Sequence, residues 1–153
     1  MLKFLFIFIL CLIPWYITAI VPVDYSYFDT LLLPFFTPPP LFYIIAWNII
    51  YILIALSVSS IINKYGIKNV GKSYLLTLLI NYLFNQSFNL VFFGLKNNFL
   101  GFVSCLGTFI SCLFLYQETS QRNENSAKLL DPYVILSLFA SILSLTIYVI
   151  NTL

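Results

Sequence analysis

An all-α bundle of five transmembrane helices is the fold class this sequence predicts, and three observations predict it. The 153-residue chain is 61% hydrophobic and 8% charged, against roughly 25% charged residues in ordinary soluble domains. Its mean hydropathy is +1.00. The apolar residues gather into runs of about 18 to 22 residues, the length a helix needs to cross about 30 Å of hydrocarbon. Those runs are apolar on every side, as in LFYIIAWNIIYILIAL (41–56), whereas barrel strands alternate apolar and polar residues. One membrane domain covering residues 1–153 follows, without a soluble domain.

The first run, 2–21, resembles a signal peptide only superficially. It is too long for an h-region, contains Pro14 and Trp15, and lacks a small-x-small cleavage site. The remaining spans are 41–62, 74–95, 99–116 and 132–150. Thr37 before Pro38, Pro39 and Pro40 offers a capping hydroxyl and then residues suited to a first helical turn, which has no use for their missing N–H groups. Asp131-Pro132 repeats the pattern at the last span. Lys96-Asn97-Asn98 is so short that the third and fourth spans must form an antiparallel hairpin.

Charge placement predicts orientation. One end of the bundle carries Lys3, Lys64, Lys68, Lys72, Arg122 and Lys128, and the other carries Lys96 alone. Basic residues favour the cytoplasmic side, so the amino terminus is expected inside and the carboxyl terminus outside a cell membrane. The first loop, 22–37, then lies outside. Its sequence, PVDYSYFDTLLLPFFT, has no glycine and many aromatics, which suits a lid over the bundle or an aromatic belt at the headgroups.

Several chemistries are excluded. There is no histidine, and Cys11, Cys105 and Cys112 are scattered, which leaves no conventional zinc site. Cys105 and Cys112 lie seven apart on one face of the fourth span and are expected to act as small packing residues. A net charge of +2 gives no electrostatic footprint for nucleic acid. No acidic residue falls within a predicted span, so a carboxylate proton relay is unsupported.

Polar residues inside the spans should turn away from lipid. Asn81, Asn85 and Asn89 recur every four residues with Gln86 beside them. Interhelical hydrogen bonding is the expected role of Asn81 and Asn89. The last span carries a stripe of Tyr133, Ser137, Ser141, Ser144, Tyr148 and Asn151, which should face the bundle. In the fourth, Gly101, Cys105, Thr108 and Cys112 form a small-residue ridge for close helix approach, within the bundle or between two chains.

Three blocks carry a family resemblance. The first is Pro34-x-Phe36-x-Pro38-Pro39, followed by Trp47 and Tyr51. The second is Asn85-x-x-Phe88-x-x-x-Phe92-Phe93-Gly94. The third is Pro132-Tyr133-x-x-Leu136-x-x-Phe139-Ala140-x-x-Leu143-Ser144. In order and span they resemble the signatures of the TspO/MBR family, the translocator proteins, known in bacteria as tryptophan-rich sensory proteins. The likeness runs from about Tyr27 to Ser144, with nothing distinctive in the first helix. It implies a five-helix bundle, commonly dimeric, whose pocket opens toward the first loop and accepts tetrapyrroles, or sterols in animal members.

By that resemblance the ligand-binding residues are Trp47, Tyr51, Asn85, Phe88 and Phe92, with Leu136, Phe139, Ala140, Leu143 and Ser144 on the last helix. The lid would carry Pro34, Phe36, Pro38 and Pro39. Trp47 and Tyr51 are four apart and share a helix face. On spacing alone an ordinary packing contact is the simpler reading; the resemblance favours an aromatic clamp for a flat macrocycle.

The departures bear on chemistry. Phe88 and Leu136 stand where the family usually has tryptophan, Ser144 where it has asparagine, and Leu33 where a lysine is common. Some bacterial relatives are reported to degrade porphyrin with help from pocket tryptophans, of which Trp47 alone remains. The expected function is therefore binding of a planar hydrophobic ligand such as a porphyrin, in a sensory, regulatory or transport role, with no required cofactor and no catalytic residue. Porphyrin breakdown and small-molecule transport are the alternatives. With no histidine as axial ligand, a metal-free porphyrin fits better than haem. A sterol pattern drawn through Leu113, Tyr116 and Arg122 is too common by chance to carry weight.

Overall fold

The computed structural model describes residues 2–20 and 23–152. Helix α1 spans Leu2–Leu12 and continues as a 3-10 helix over Ile13–Ile20. The first span is thus not one uniform α-helix, as expected from its composition, and Pro14 is the cause. It has no N–H to donate to the carbonyl of Leu10, and its ring crowds that carbonyl, so α-geometry stops just before it. The predicted end of this span at Val21 and the start of the loop at Pro22 lie outside the described residues.

The other spans match their sequence signals with longer ends. Helix α2 is Pro40–Tyr65, α3 is Lys72–Phe88, α4 is Asn98–Ser120 and α6 is Asp131–Thr152, with a short α5 at Glu124–Lys128. Pro40 opens α2 as predicted, but Thr37 does not cap it. The Thr37 hydroxyl and N–H both donate to the Pro34 carbonyl, at 2.7 and 3.0 Å, closing a turn in the loop. The chain leaves α2 through Gly66 at φ +77°, a conformation that side chains disfavour. After Phe88 the third span widens into a π-helix, Asn89–Gly94. Lys96 turns the expected hairpin at φ +52°, and the Asn97 side chain accepts from the Leu100 N–H to start α4.

Helix α4 is the centre of the bundle, packed along α3 on one side and α6 on the other, while α1 lies along α2. Polarity runs opposite to that of a soluble protein. Ser57, Ser59, Asn81, Thr119 and Ser137 are buried, whereas Ile44, Leu76, Phe114 and Ile135 are among the many exposed apolar side chains. In hydrocarbon this is the stable arrangement: apolar side chains gain nothing by leaving lipid, and polar ones need protein partners. The small-residue ridge of α4 is consumed inside the bundle, since Gly101, Cys105, Thr108 and Cys112 are all buried. A Cβ on Gly101 would come within 2.6 Å of the Phe92 ring, and one on Gly107 would run into the Phe84 ring. The stripe on α6 also turns inward: Tyr133, Ser137, Ser141 and Ser144 are buried.

At the lysine-rich end, Arg122 ties the loop after α2 to the turn after α4. It donates to the Val70 carbonyl at 2.9 Å, pairs with Glu118 at 2.7 Å and lies over the Tyr74 ring, while its own carbonyl accepts from Tyr65.

Candidate functional site

The predicted site residues fall into two tiers along the bundle axis. The inner tier contains Trp47, Tyr51, Asn85 and Leu136 around the core of Trp15, Ile54 and Tyr133. The outer tier, under the first loop, contains Phe88, Phe92, Phe139 and Leu143 together with Phe36 of the loop.

The inner tier is built on a stack. Trp47 and Tyr51 do share a face of α2, with ring centroids 5.9 Å apart, and Trp47 meets Tyr133 edge-on at 6.2 Å. The closest partner of Tyr51, however, is Trp15, stacked at 5.5 Å and 25°. Tyr82 meets the edge of Trp15, and Tyr16 that of Tyr51. The 3-10 winding of the first span makes this possible, because three residues per turn put Trp15 and Thr18 on one line, and both are buried.

A hydrogen-bond chain crosses the bundle directly beside this stack. Thr18 donates to Gln86 Oε1 at 2.8 Å, and Gln86 Nε2 donates to Asn85 Oδ1 at 3.1 Å and to the Trp15 backbone carbonyl at 3.3 Å. The Tyr51 hydroxyl also donates to Asn85 Oδ1, at 3.2 Å. Asn85 Nδ2 donates to the Tyr133 hydroxyl at 3.3 Å, which donates to Asn81 Oδ1 at 3.0 Å. Asn81 finishes the chain on α4, donating to the Thr108 carbonyl and to Ser111 Oγ. Asn81 therefore has the structural role its spacing suggested. Tyr51 and Asn85 are polar groups already bonded to each other, so a ligand reaching them exchanges one hydrogen bond for another.

The outer tier is nearly all hydrocarbon. The π-helical turn brings Phe88 and Phe92 into a stack at 5.0 Å and 12°, with Phe93 edge-on to Phe92 at 4.9 Å. Phe36 reaches down from the loop to Phe139, 6.4 Å between centroids, and Tyr27 and Phe28 meet Phe92. Two hydroxyls here, on Tyr43 and Ser144, are buried without a hydrogen-bond partner, an arrangement that costs about 1–3 kcal/mol each unless something else bonds them. Ala140 is partly buried on α6 one residue after Phe139, with its side chain too small to fill space.

The loop is fastened over this tier. Asn151 both accepts from the Leu32 N–H and donates to the Leu32 carbonyl, each at 2.9 Å. Tyr27 donates to Asn98, and Asp24 pairs with Lys96 at 2.9 Å. Hydrogen bonds from Ser26 and Lys96 hold the Asp24 carboxyl down at about 2. Pro34, Phe36 and Pro38 are partly buried; Pro39 is exposed at the start of α2, and Phe35 is wholly exposed on the outer side. The segment thus packs one face on the bundle and leaves the other, with Phe35, exposed.

Two grooves open sideways. One, of about 540 Å³, lies between α2 and α6 and is walled by Phe42, Ala46, Ile49 and Ile50 opposite Ile135, Leu136 and Phe139. It borders both tiers at Leu136 and Phe139. The other, of about 590 Å³, lies between α1, α2 and α3 toward the lysine-rich end.

Trp15, Thr18, Gln86 and Tyr43 are site-forming residues that motif matching passes over. The Pro14-Trp15 pair held a usable signal, since proline inside a span re-aims whatever follows it.

A multi-pass helical membrane protein with an aromatic, amide-braced interior beneath a fastened loop is the class that this fold defines. The TspO/MBR family model matches residues 4–150, so the chain belongs to that family. Among similar proteins, the tryptophan-rich protein TspO of Bacillus cereus is 41% identical, covering 90% of this chain and 89% of that one. The uncharacterized membrane protein YtaB of Bacillus subtilis is 35% identical over 85% of this chain and 83% of its own. A tryptophan-rich protein TspO from Archaeoglobus fulgidus is 33% identical over 77% and 75%.

Proposed function

We propose that this protein binds a planar hydrophobic ligand of the tetrapyrrole class inside the bundle, beneath the first loop, and that binding serves a sensory, regulatory or transport role. The observation that carries this reading is that two of the three buried hydroxyls without a hydrogen-bond partner among the described residues, Tyr43 and Ser144, fall in the otherwise apolar aromatic tier, the third being Tyr74. A flat macrocycle with polar edge groups would bury its faces among Phe36, Phe88, Phe92, Phe139 and Leu143 and give those hydroxyls the partners they lack. Trp47 and Tyr51 would lie under its inner edge. The groove between α2 and α6 supports entry from the lipid phase rather than through the fastened loop.

Orientation is part of the proposal: the lysine-rich end faces the cytoplasm of the cell membrane. Self-association, where it occurs, would use lipid-facing surfaces, because the ridge on α4 is already occupied. The acidic residues nearest the spans, Glu118 and Asp131, sit at helix ends on the lysine-rich side, and Glu118 is paired with Arg122. That favours binding over proton-coupled transport.

Titration of protoporphyrin against the protein in nanodiscs, read by the porphyrin absorption band, tests the reading. Phe139→Ala is expected to weaken binding roughly tenfold or more, from about 1.5–3 kcal/mol of lost side-chain burial. Trp47→Ala should weaken it less. Saturable binding that both variants leave unchanged would refute the placement, and no saturable binding by the intact protein would refute the ligand class.

A further inference from the structure

The groove between α1, α2 and α3 touches the inner tier at Trp15 and Tyr82, runs away from it toward the lysine-rich end, and has its own polarity. Its walls are apolar: Ile7 and Leu10 from α1, Val58 and Ile62 from α2, Leu75 and Leu78 from α3. Its inner end is closed by Pro14, Trp15 and Tyr82, with the Tyr82 hydroxyl donating to the Pro14 carbonyl at 3.0 Å. At its outer end stand Lys3 and Gly66, and a Cβ on Gly66 would meet nothing within 4 Å. A long apolar trough thus runs from a cation at an open mouth to a sealed aromatic floor.

The dimensions and charge identify an occupant. Lys3 and Pro14 are eleven residues apart along a nearly continuous α-helix, a rise of about 16 Å at 1.5 Å per residue. That is the depth of one leaflet, half of the roughly 30 Å hydrocarbon core. Among the described residues, Lys3, Lys68 and Lys72 make no ion pair. Lys68 follows the groove residue Ile67, and Lys72 opens α3 three residues before Leu75. Lys3 is the cation that lines the groove itself; an unneutralised ammonium at one end of an acyl-sized trough, on the lysine-rich side, attracts an anionic headgroup, while the trough takes its chain.

We infer that this groove is a binding site for an anionic phospholipid of the leaflet at the lysine-rich end, with its phosphate on Lys3 and one acyl chain lying along α1 to Trp15. Filling the trough props α1 against α3, a pair that otherwise meets mainly through the 3-10 segment. The site does not depend on what the two tiers bind.

Trp15 supplies the readout. A Trp47→Phe variant retains Trp15 as its single indole, since the chain has two tryptophans. The full-length protein is reconstituted in phosphatidylcholine vesicles with increasing fractions of phosphatidylglycerol or phosphatidylcholine brominated on one acyl chain. Half-maximal quenching of Trp15 is expected at about fivefold lower mole fraction of the brominated phosphatidylglycerol, the factor for one lysine near an anionic headgroup. Lys3→Gln should abolish that preference and Lys3→Arg should keep it. In the unmodified protein, native mass spectrometry from detergent holding equal amounts of both lipids should retain phosphatidylglycerol, and Lys3→Gln should lose it. Equal quenching by both lipids, a preference indifferent to Lys3→Gln, or no quenching by either because a second copy covers the groove would each overturn the assignment.

Discussion

The inner and outer tiers of the bundle use aromatic residues in similar numbers but hold them by different forces. In the inner tier Tyr51, Asn85, Tyr133 and Asn81 are joined through directional hydrogen bonds that reach from the first span to α4. In the outer tier Phe36, Phe88, Phe92 and Phe139 meet only ring against ring. Hydrogen bonds in low dielectric fix one geometry and penalise every other; ring contacts are nearly as good after a small slide. The inner tier therefore behaves as a rigid floor and the outer tier as an adjustable wall.

The largest test of that contrast is Trp15→Ala. Removing a buried indole stacked on Tyr51 should cost about 3–5 kcal/mol, seen as a lower midpoint of unfolding in mixed micelles. Phe88→Ala in the outer tier, where Phe88 is only partly buried, should cost markedly less; equal losses would erase the distinction. Next comes Asn81→Ala, which takes away the acceptor of the Tyr133 hydroxyl and the donor to the Thr108 carbonyl. A loss of about 1–3 kcal/mol is expected, with faster amide exchange in both α3 and α4 as the signature of a broken bridge.

A smaller effect sharpens the comparison from the side of the loop. Asn151→Ala removes both bonds to Leu32 and should speed proteolysis within the first loop several-fold, at about 0.5–1.5 kcal/mol per bond, while leaving the unfolding midpoint nearly unchanged. The smallest is the response to acid. Because the Asp24 carboxyl is held at about 2 when folded against 3.8 ordinarily, its contribution is complete above the ordinary value and fades as pH falls from there toward 2. Loop proteolysis by an acid-tolerant protease should thus be flat from pH 7 to pH 5 and rise only below 4. In Lys96→Gln, where the folded value moves back toward the ordinary one, the rise should begin at the same pH but be smaller.

Much of this architecture was legible in the residues. Length and hydropathy delimit α2, α3, α4 and α6, since a helix that crosses lipid has few alternatives. The four-residue recurrence of Asn81, Asn85 and Asn89 foretold an inward amide face, and the stripe from Tyr133 to Ser144 foretold the buried side of α6. Three features were not legible. Pro14 warned of a break, but nothing local says whether a chain past proline resumes as α or tightens to 3-10. That depends on Trp15 finding Tyr51, a contact 36 residues away in sequence. The π-turn after Phe88 depends on Phe92 fitting against Gly101. Thr37 looked like a cap because hydroxyls before helices usually are, yet the Pro34 carbonyl lay nearer.

The change of winding in the first span also alters its reach. Eleven α-residues, Leu2–Leu12, rise about 16 Å at 1.5 Å each, and the eight of Ile13–Ile20 add about 16 Å at 2.0 Å each. Nineteen residues then extend about 32 Å, where a uniform α-helix would stop near 28 Å. Each 3-10 residue thus carries the chain about 0.5 Å further along the axis than an α-residue, so the first span covers more membrane depth per residue than its α-helical neighbours.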